Sequence, residues 1–241
     1  MLTNRGLGLS RQSDLAAERI EELIMSGEFA LGAHINEFAL SARLGVGRAA
    51  IREACHALVR VGLVRIVPNQ GAFVKDLTLL EITQIFDIRS SLGRLAGRQA
   101  ALLIDAAGLS RLRGLIQEMD KVALERDSER YVALNLDFHD ALYKVSRNER
   151  LAELDRALGK ELRIYRRHGL AFGGGLAVSN QEHREIMTAI EQGDCEMAGA
   201  HLEKHIRSGK ERFLNAMSAT GKLVLQSDTR AADPAKTKKK A

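Results

Sequence analysis

Several things are scarce in this chain of 241 residues, and each scarcity excludes something. There is no tryptophan, aromatic residues make up only 4%, and proline occurs twice. With few helix breakers and with Leu, Ala, Arg and Glu dominant, the composition favours helices. The two cysteines, Cys55 and Cys195, both fall on apolar helical positions, which suits small buried thiols rather than a disulfide. No apolar run approaches the roughly 18 residues of a membrane-spanning helix. The N-terminus lacks the basic-then-apolar pattern of an export signal. Together these absences lead to the expectation of a cytoplasmic protein with no membrane partner.

What is present is material for a real core, 45% hydrophobic, and a formal net charge of +5. Part of that charge sits in "KTKKK" near the C-terminus. A positive balance permits a nucleic-acid partner without proving one. Residues 1–9 read as disordered. A helix is predicted from about Ser10 or Ser13 to Met25, with Leu15, Ile20, Leu23 and Ile24 as its apolar face. "NEFALSARLG" reads as a short second helix, with Asn36 as N-cap and Gly45 just past its end. Val46-Gly47 makes a tight turn into a third helix, Arg48 to Val61. Its inward face is Ile51, Ala54, Cys55 and Leu58, at i, i+3, i+4 and i+7. In "LVRIVPNQGAFV", two β-rich runs flank the turn Pro68-Asn69-Gln70-Gly71. Helix, helix, turn, helix, hairpin is the order of a winged helix-turn-helix, over residues 10–76.

From residue 77 to 220 the pattern is an all-helical bundle, so the fold class is mostly α. Its one long flexible loop is "GLAFGGGLAVS", residues 169–179, followed by a capping box of Ser179 and Glu182. Residues 221–241 are polar and lysine-ended, and read as a disordered basic tail.

In a helix-turn-helix the third helix enters the major groove with its N-terminal residues nearest the bases. Arg48 and Arg52 would then meet phosphates or guanine edges. Asn69, Gln70 and Gly71 would form the tip of the wing. Double-stranded DNA is thus the expected partner. At this point the sequence resembles the GntR family of bacterial transcription regulators, on "LGVGRAAIREACHALVRVGLV" and "PNQGAFV". Leu44, Gly45, Val46, Arg48, Arg52, Glu53 and Ala54 match the family pattern. Gly47 stands for the usual serine, and Ala49-Ala50 for threonine-proline. The resemblance implies DNA contacts from Gly47, Arg48, Ala49 and Arg52, although Ala49 brings no hydroxyl.

The helical half carries a second constellation. In "SERYVALNLDFHDALYKVS", residues 128–146, Glu129, Asp137, Asp140 and Lys144 fall on one side, while Asn135 and His139 fall nearly opposite, toward the bundle centre. His183 shares a face with Ile186 and Ile190. His205 lies at the edge of the apolar face of the last helix, and His201 lies further round toward solvent. Three inward histidines with a side-chain oxygen suit a divalent transition metal such as zinc or nickel; each histidine could equally be a hydrogen-bonded core residue. Arg89 falls within an inward stripe of Ile82, Ile85, Leu92, Ala96, Ala100 and Leu103. A buried guanidinium needs an anion, either a bound carboxylate or an internal acid.

This half looks like the FCD effector domain of FadR-type GntR regulators, on Arg89, "NLDFHDAL" and "EHREIMTAIEQGDCEMAGAHLEKH". The resemblance implies a metal held at Asn135, His139, His183 and His205, and a small organic acid as effector. Asn135 replaces the family's usual aspartate, and Gly93 stands where glutamate is frequent. The resulting expectation is a homodimeric regulator, a repressor, that reads a palindromic operator and responds to a small carboxylate anchored by Arg89. Three alternatives stay open: an effector pocket that works without metal, an architectural DNA binder whose helical half only dimerises, and a helical metalloenzyme fused to a DNA-binding domain. Against the last, no general base or nucleophile motif accompanies the histidines.

Overall fold

A computed structural model of the chain describes residues 4–163 and 175–219. The elements among them are α1 (Asn4–Met25), β1 (His34–Ile35), α2 (Glu37–Leu44), α3 (Arg48–Arg60), β2 (Val64–Val67), β3 (Gly71–Val74), α4 (Leu79–Leu103), α5 (Ala106–Glu125), α6 (Ser128–Val145), α7 (Glu149–Glu161), α8 (Gly175–Glu191) and α9 (Cys195–Ala219). They form two compact units. The first holds the described residues up to Leu77 together with α7. The second holds Thr78–Arg147 and the described residues from Gly175 on.

The first unit has the predicted winged order, completed by a strand too short to leave a sequence pattern. β1 pairs antiparallel with β3, and β3 with β2, giving the order β1-β3-β2. Val67 pairs with Gly71 across the turn, and the Gln70 N–H donates to the Val67 carbonyl at 3.0 Å. Asn69 takes φ 62°, a left-handed conformation that asparagine tolerates better than most residues. The Asn36 side chain accepts from the N–H groups of Phe38 and Ala39, and Gly45 ends α2 at φ 66°, as capping chemistry predicts. Ala16, Ile20 and Ile24 of α1, Leu40 of α2, and Ile51, Ala54, Cys55 and Leu58 of α3 close a core with Ile35, Leu63, Val64, Ala72 and Val74.

Two expectations for α1 are corrected. It starts at Asn4, inside the stretch read as disordered over 1–9. No proline interrupts it, and elongation from a packed helix is far easier than nucleation. Its buried face is Ser13, Ala16, Ile20 and Ile24, while Leu15 is 52% exposed. The i, i+4 spacing of Ala16, Ile20 and Ile24 sets the phase and turns Leu15 outward.

In the second unit α9 packs along α4 and α8, α5 packs on α6 and α8, and α4 also meets α6 and α8. The α4–α9 crossing is backbone against backbone. A Cβ on Gly97 would lie 2.5 Å from the Ala198 carbonyl oxygen, and one on Gly199 would lie 2.8 Å from the Arg94 carbonyl oxygen. Only glycine permits that approach.

α7 lies inside the stretch 77–220 read as the helical domain, and its contacts group it with the first unit. Lys75 pairs with Glu161 at 2.5 Å and Lys160 with Glu21 at 2.9 Å, and the Glu161 side chain lies over Gly62. The predicted loop over 169–179 is helical from Gly175 on; its earlier residues, like the tail from 221, lie outside the described residues. Ser179 is therefore inside α8 and fully buried rather than a cap. Among the described residues no helix is long and apolar enough to cross a membrane.

Candidate functional site: a DNA-facing helix and a buried histidine centre

The first site lies on α3. Gly47 is its N-cap, in extended conformation, and supplies no side-chain acceptor. The first N–H groups of a 13-residue helix thus face outward with the dipole's positive end, which suits a phosphate. Arg48, Ala49, Arg52, Glu53 and His56 are exposed along the same helix, whereas its other face is core. The Arg52 guanidinium reaches Glu37 at 2.9 Å across the turn. Arg52 itself sits largely in water, whereas the Glu37 side chain is only 19% exposed, so the pair ties the guanidinium to the first residue of α2. Pro68, Asn69 and Gln70 are exposed at the hairpin tip, and Gly71 sits half-buried just behind it, against the His34 ring.

The second site is inside the other unit. α6 carries Asn135 and His139, α8 carries Glu182 and His183, and α9 carries His205 and Arg212. His139, His183 and His205 are buried, and a ring nitrogen from each lies within 4.8 Å of the other two. His205 Nε2 is 3.1 Å from His139 Nε2 and 3.2 Å from His183 Nε2. Nitrogens about 2.0–2.1 Å from one transition metal ion stand about 2.9 Å apart at octahedral angles and about 3.3 Å apart at tetrahedral ones. The observed separations fall between. The two His205 separations are therefore compatible with a shared divalent transition metal, and equally with hydrogen bonds between the rings. Phe138 walls the cluster, its ring 4.5 Å from that of His183.

Two features tune these rings. Burial, helped by the nearby His205, Arg212 and Arg184, holds His183 well below the ordinary imidazole value, so its ring stays neutral. Burial alone would raise Glu182, but hydrogen bonds from His205 and Arg212 outweigh it and hold that carboxyl at about 2. Glu182 Oε2 accepts from His205 Nδ1 at 2.8 Å, and Arg212 grips both carboxylate oxygens at 3.2 and 3.1 Å.

Asn135 is only 6% exposed and its Oδ1 has no hydrogen-bond partner, an orphaned acceptor one helical turn before His139. Arg89 is buried on α4. His201, passed over in favour of His205, pairs loosely with Glu185 at 3.6 Å, outside the cluster. Glu182 and Arg212 escaped the sequence reading. The Ser179–Glu182 spacing reads as a cap, but both residues lie inside α8. Arg212 was legible in principle, because it follows His205 by seven residues, two turns along the same helix face.

Comparison with known proteins supports both halves. Residues 12–74 match the family described as "Bacterial regulatory proteins, gntR family", and residues 84–208 match the FCD domain. A "Probable D-xylose utilization operon transcriptional repressor" of Paenarthrobacter nicotinovorans is 30% identical, over 76% of this chain and 80% of that protein. The "HTH-type transcriptional repressor NanR" of Klebsiella aerogenes is 27% identical, over 86% of this chain and 87% of its own length. A Rhodococcus sp. RHA1 structure described as a GntR transcriptional regulator superposes with a TM-score of 0.68 at 28% identity, covering 86% of this chain and 99% of that one. Escherichia coli McbR/YncC shares the fold, with a TM-score of 0.69 at 20% identity over 85% and 97% of the two chains.

Proposed function

Because the chain belongs to the GntR family of bacterial regulators, and is a DNA-binding transcription regulator rather than an enzyme, we propose that a small carboxylate bound at its histidine centre tunes its affinity for DNA. The observation that carries this reading is the convergence of three buried imidazole nitrogens from three helices. His139, His183 and His205 would hold the metal, with the Asn135 oxygen as a fourth donor. A bound zinc or nickel ion supplies a Lewis acid to which a carboxylate oxygen coordinates. The chain's own residues do the rest. Neutral His183 offers a lone pair without first losing a proton. Phe138 and the surrounding apolar side chains keep bulk water from the centre, which strengthens every charge interaction inside it. Arg89, buried on α4, is the anchor assigned to the effector's charge.

On the DNA side Arg48 and Arg52 contact phosphates or guanine edges, Gly47 and Ala49 let the start of α3 approach the backbone closely, and the wing tip at Asn69, Gln70 and Gly71 touches the flanking strand. A homodimer acting in the cytoplasm would read a palindromic operator, since twofold proteins favour twofold sites. Regulation then requires only that the carboxylate bind the DNA-competent and DNA-incompetent states unequally, a coupling of about 1–3 kcal/mol in typical cases.

Metal analysis by plasma mass spectrometry tests the central observation. The wild-type chain should carry about one transition metal ion and His139→Ala much less, with the fold retained. Equal metal content in both would remove this ligand set. A well-folded wild type free of metal would favour the second reading, which Asn135 supports: a neutral donor where the family uses a carboxylate, and a polar pocket that binds its effector through Arg89 without an ion.

A further inference from the structure

A neutral imidazole has one lone pair, and the nitrogen that carries it is set by what the other nitrogen touches. Around His205 this choice is already made. Glu182 Oε2 stands 2.8 Å from His205 Nδ1, while Arg212 Nη1 and Nη2 donate to Glu182 Oε1 and Oε2. A carboxylate gripped on both oxygens can only accept. Nδ1 is therefore the protonated nitrogen, and Nε2 keeps the lone pair. Nε2 is also the atom that meets His139 and His183.

We propose that the buried Glu182–Arg212 pair is the positioning device of the histidine centre: Glu182 fixes the tautomer and ring direction of His205 so that Nε2 serves a divalent transition metal, and Arg212 fixes Glu182. This rests on the metal reading above. The sharing of oxygens also explains why a buried carboxylate beside three histidines is not itself a metal ligand. Its Oε2 serves His205 and Arg212, and its Oε1 serves Arg212. The device spans two helices. α8 supplies the ligand His183 and, one residue before it, the group that orients His205; α9 supplies His205 and, two turns later, the guanidinium that orients Glu182. Any slide of α8 against α9 thus disturbs two metal ligands at once. A buried ion pair is by itself weak evidence of stabilisation, which makes the orienting role the more economical account of its placement.

The test is a Co²⁺ titration of the full chain followed by visible absorption, together with ¹⁵N spectra of the histidines in metal-free protein. Wild type should bind Co²⁺ and show His205 protonated on Nδ1. Glu182→Leu, which removes the acceptor, should lower Co²⁺ affinity about 10–100-fold and mix the His205 tautomers. Glu182→Gln keeps an acceptor oxygen but loses the charge; it should retain the tautomer, lose less affinity and shift the Co²⁺ absorption band. Should Glu182→Leu fail to fold, Glu182→Gln still decides through that band and the ¹⁵N spectrum. Unchanged Co²⁺ affinity in a folded Glu182→Leu, or a wild-type His205 protonated on Nε2, would overturn the positioning role alone. A wild type that binds no Co²⁺ would overturn the metal reading and the positioning role with it.

Discussion

The two units solve opposite problems. The first keeps its chemistry outside: its core is aliphatic, and Arg48, Arg52, Asn69 and Gln70 stand in water around it. The second keeps its chemistry inside, with His139, His183, His205, Glu182, Asn135 and Arg89 all buried. An exposed arginine costs the fold almost nothing, so a DNA-reading surface can change without endangering its scaffold. A buried polar group must find a partner or destabilise the fold: in the second unit His205, Glu182 and Arg212 pair with one another, while the Asn135 Oδ1 stands without a hydrogen-bond partner. Binding DNA calls for a surface that meets a large rigid ligand. The polar groups of the second unit lie where water is excluded and charges act strongly.

That comparison can be broken most severely at Phe138, which is fully buried and lies against His183. Phe138→Ala should cost about 3–5 kcal/mol in denaturant unfolding and loosen the histidine centre. A loss near zero would mean the second unit's interior is not close-packed around its polar groups.

Arg52→Ala addresses the outer surface. It should weaken binding to a selected DNA duplex by about 1–3 kcal/mol and, if the contact is to phosphate, lower the salt slope by about one. Thermal stability should fall only slightly, because Arg52 is exposed even though its partner Glu37 is mostly covered. A large stability loss with intact DNA binding would invert the roles assigned to α3.

Asn36→Ala is a smaller perturbation of the same unit. Its oxygen caps two N–H groups of α2, so about 1 kcal/mol of stability should be lost. No loss in chemical denaturation would show that α2 is held by packing alone.

The thiols sharpen the contrast without changing stability at all. Burial, helped by Glu37, pushes Cys55 up to about 11, so at pH 8 it is a protonated thiol enclosed in the core. Cys195, at the first residue of α9, is only half-buried, which departs from the expectation that both thiols are buried. Iodoacetamide at pH 8 should label Cys195 in the native chain and reach Cys55 only on unfolding. Fast native labelling of Cys55 would show that the first unit opens.

Legibility from sequence followed the same divide. The winged unit was readable because its parts are local: an N-cap, a C-terminal glycine, a 3.6-residue stripe and a turn each announce themselves within a few residues. β1 was missed because two residues make no alternation. In the helical half, the phase of each helix correctly placed His139, His183 and His205 inward, and set His201 aside. What it could not give was the contact between helices. Glu182 was read as a cap, because a serine three residues before it fits that pattern, and only the upstream extension of α8 shows otherwise. Arg212 was overlooked because a long cation near an apolar face is normally solvated. The assignment of α7 to the first unit depends on ion pairs between residues about 85 to 140 positions apart, such as Lys75 with Glu161 and Glu21 with Lys160, which no local pattern encodes.

The most direct test of the account is the dissociation constant for a duplex selected by the purified protein, measured by fluorescence anisotropy at fixed salt with Zn²⁺ present. It should be recorded with and without a panel of small mono- and dicarboxylates, for wild type and for Arg89→Ala. The account predicts that at least one carboxylate shifts the wild-type constant by about 5–150-fold, and that Arg89→Ala binds DNA normally but shifts far less. Identical constants with and without every carboxylate, or an undiminished shift in Arg89→Ala, would contradict it.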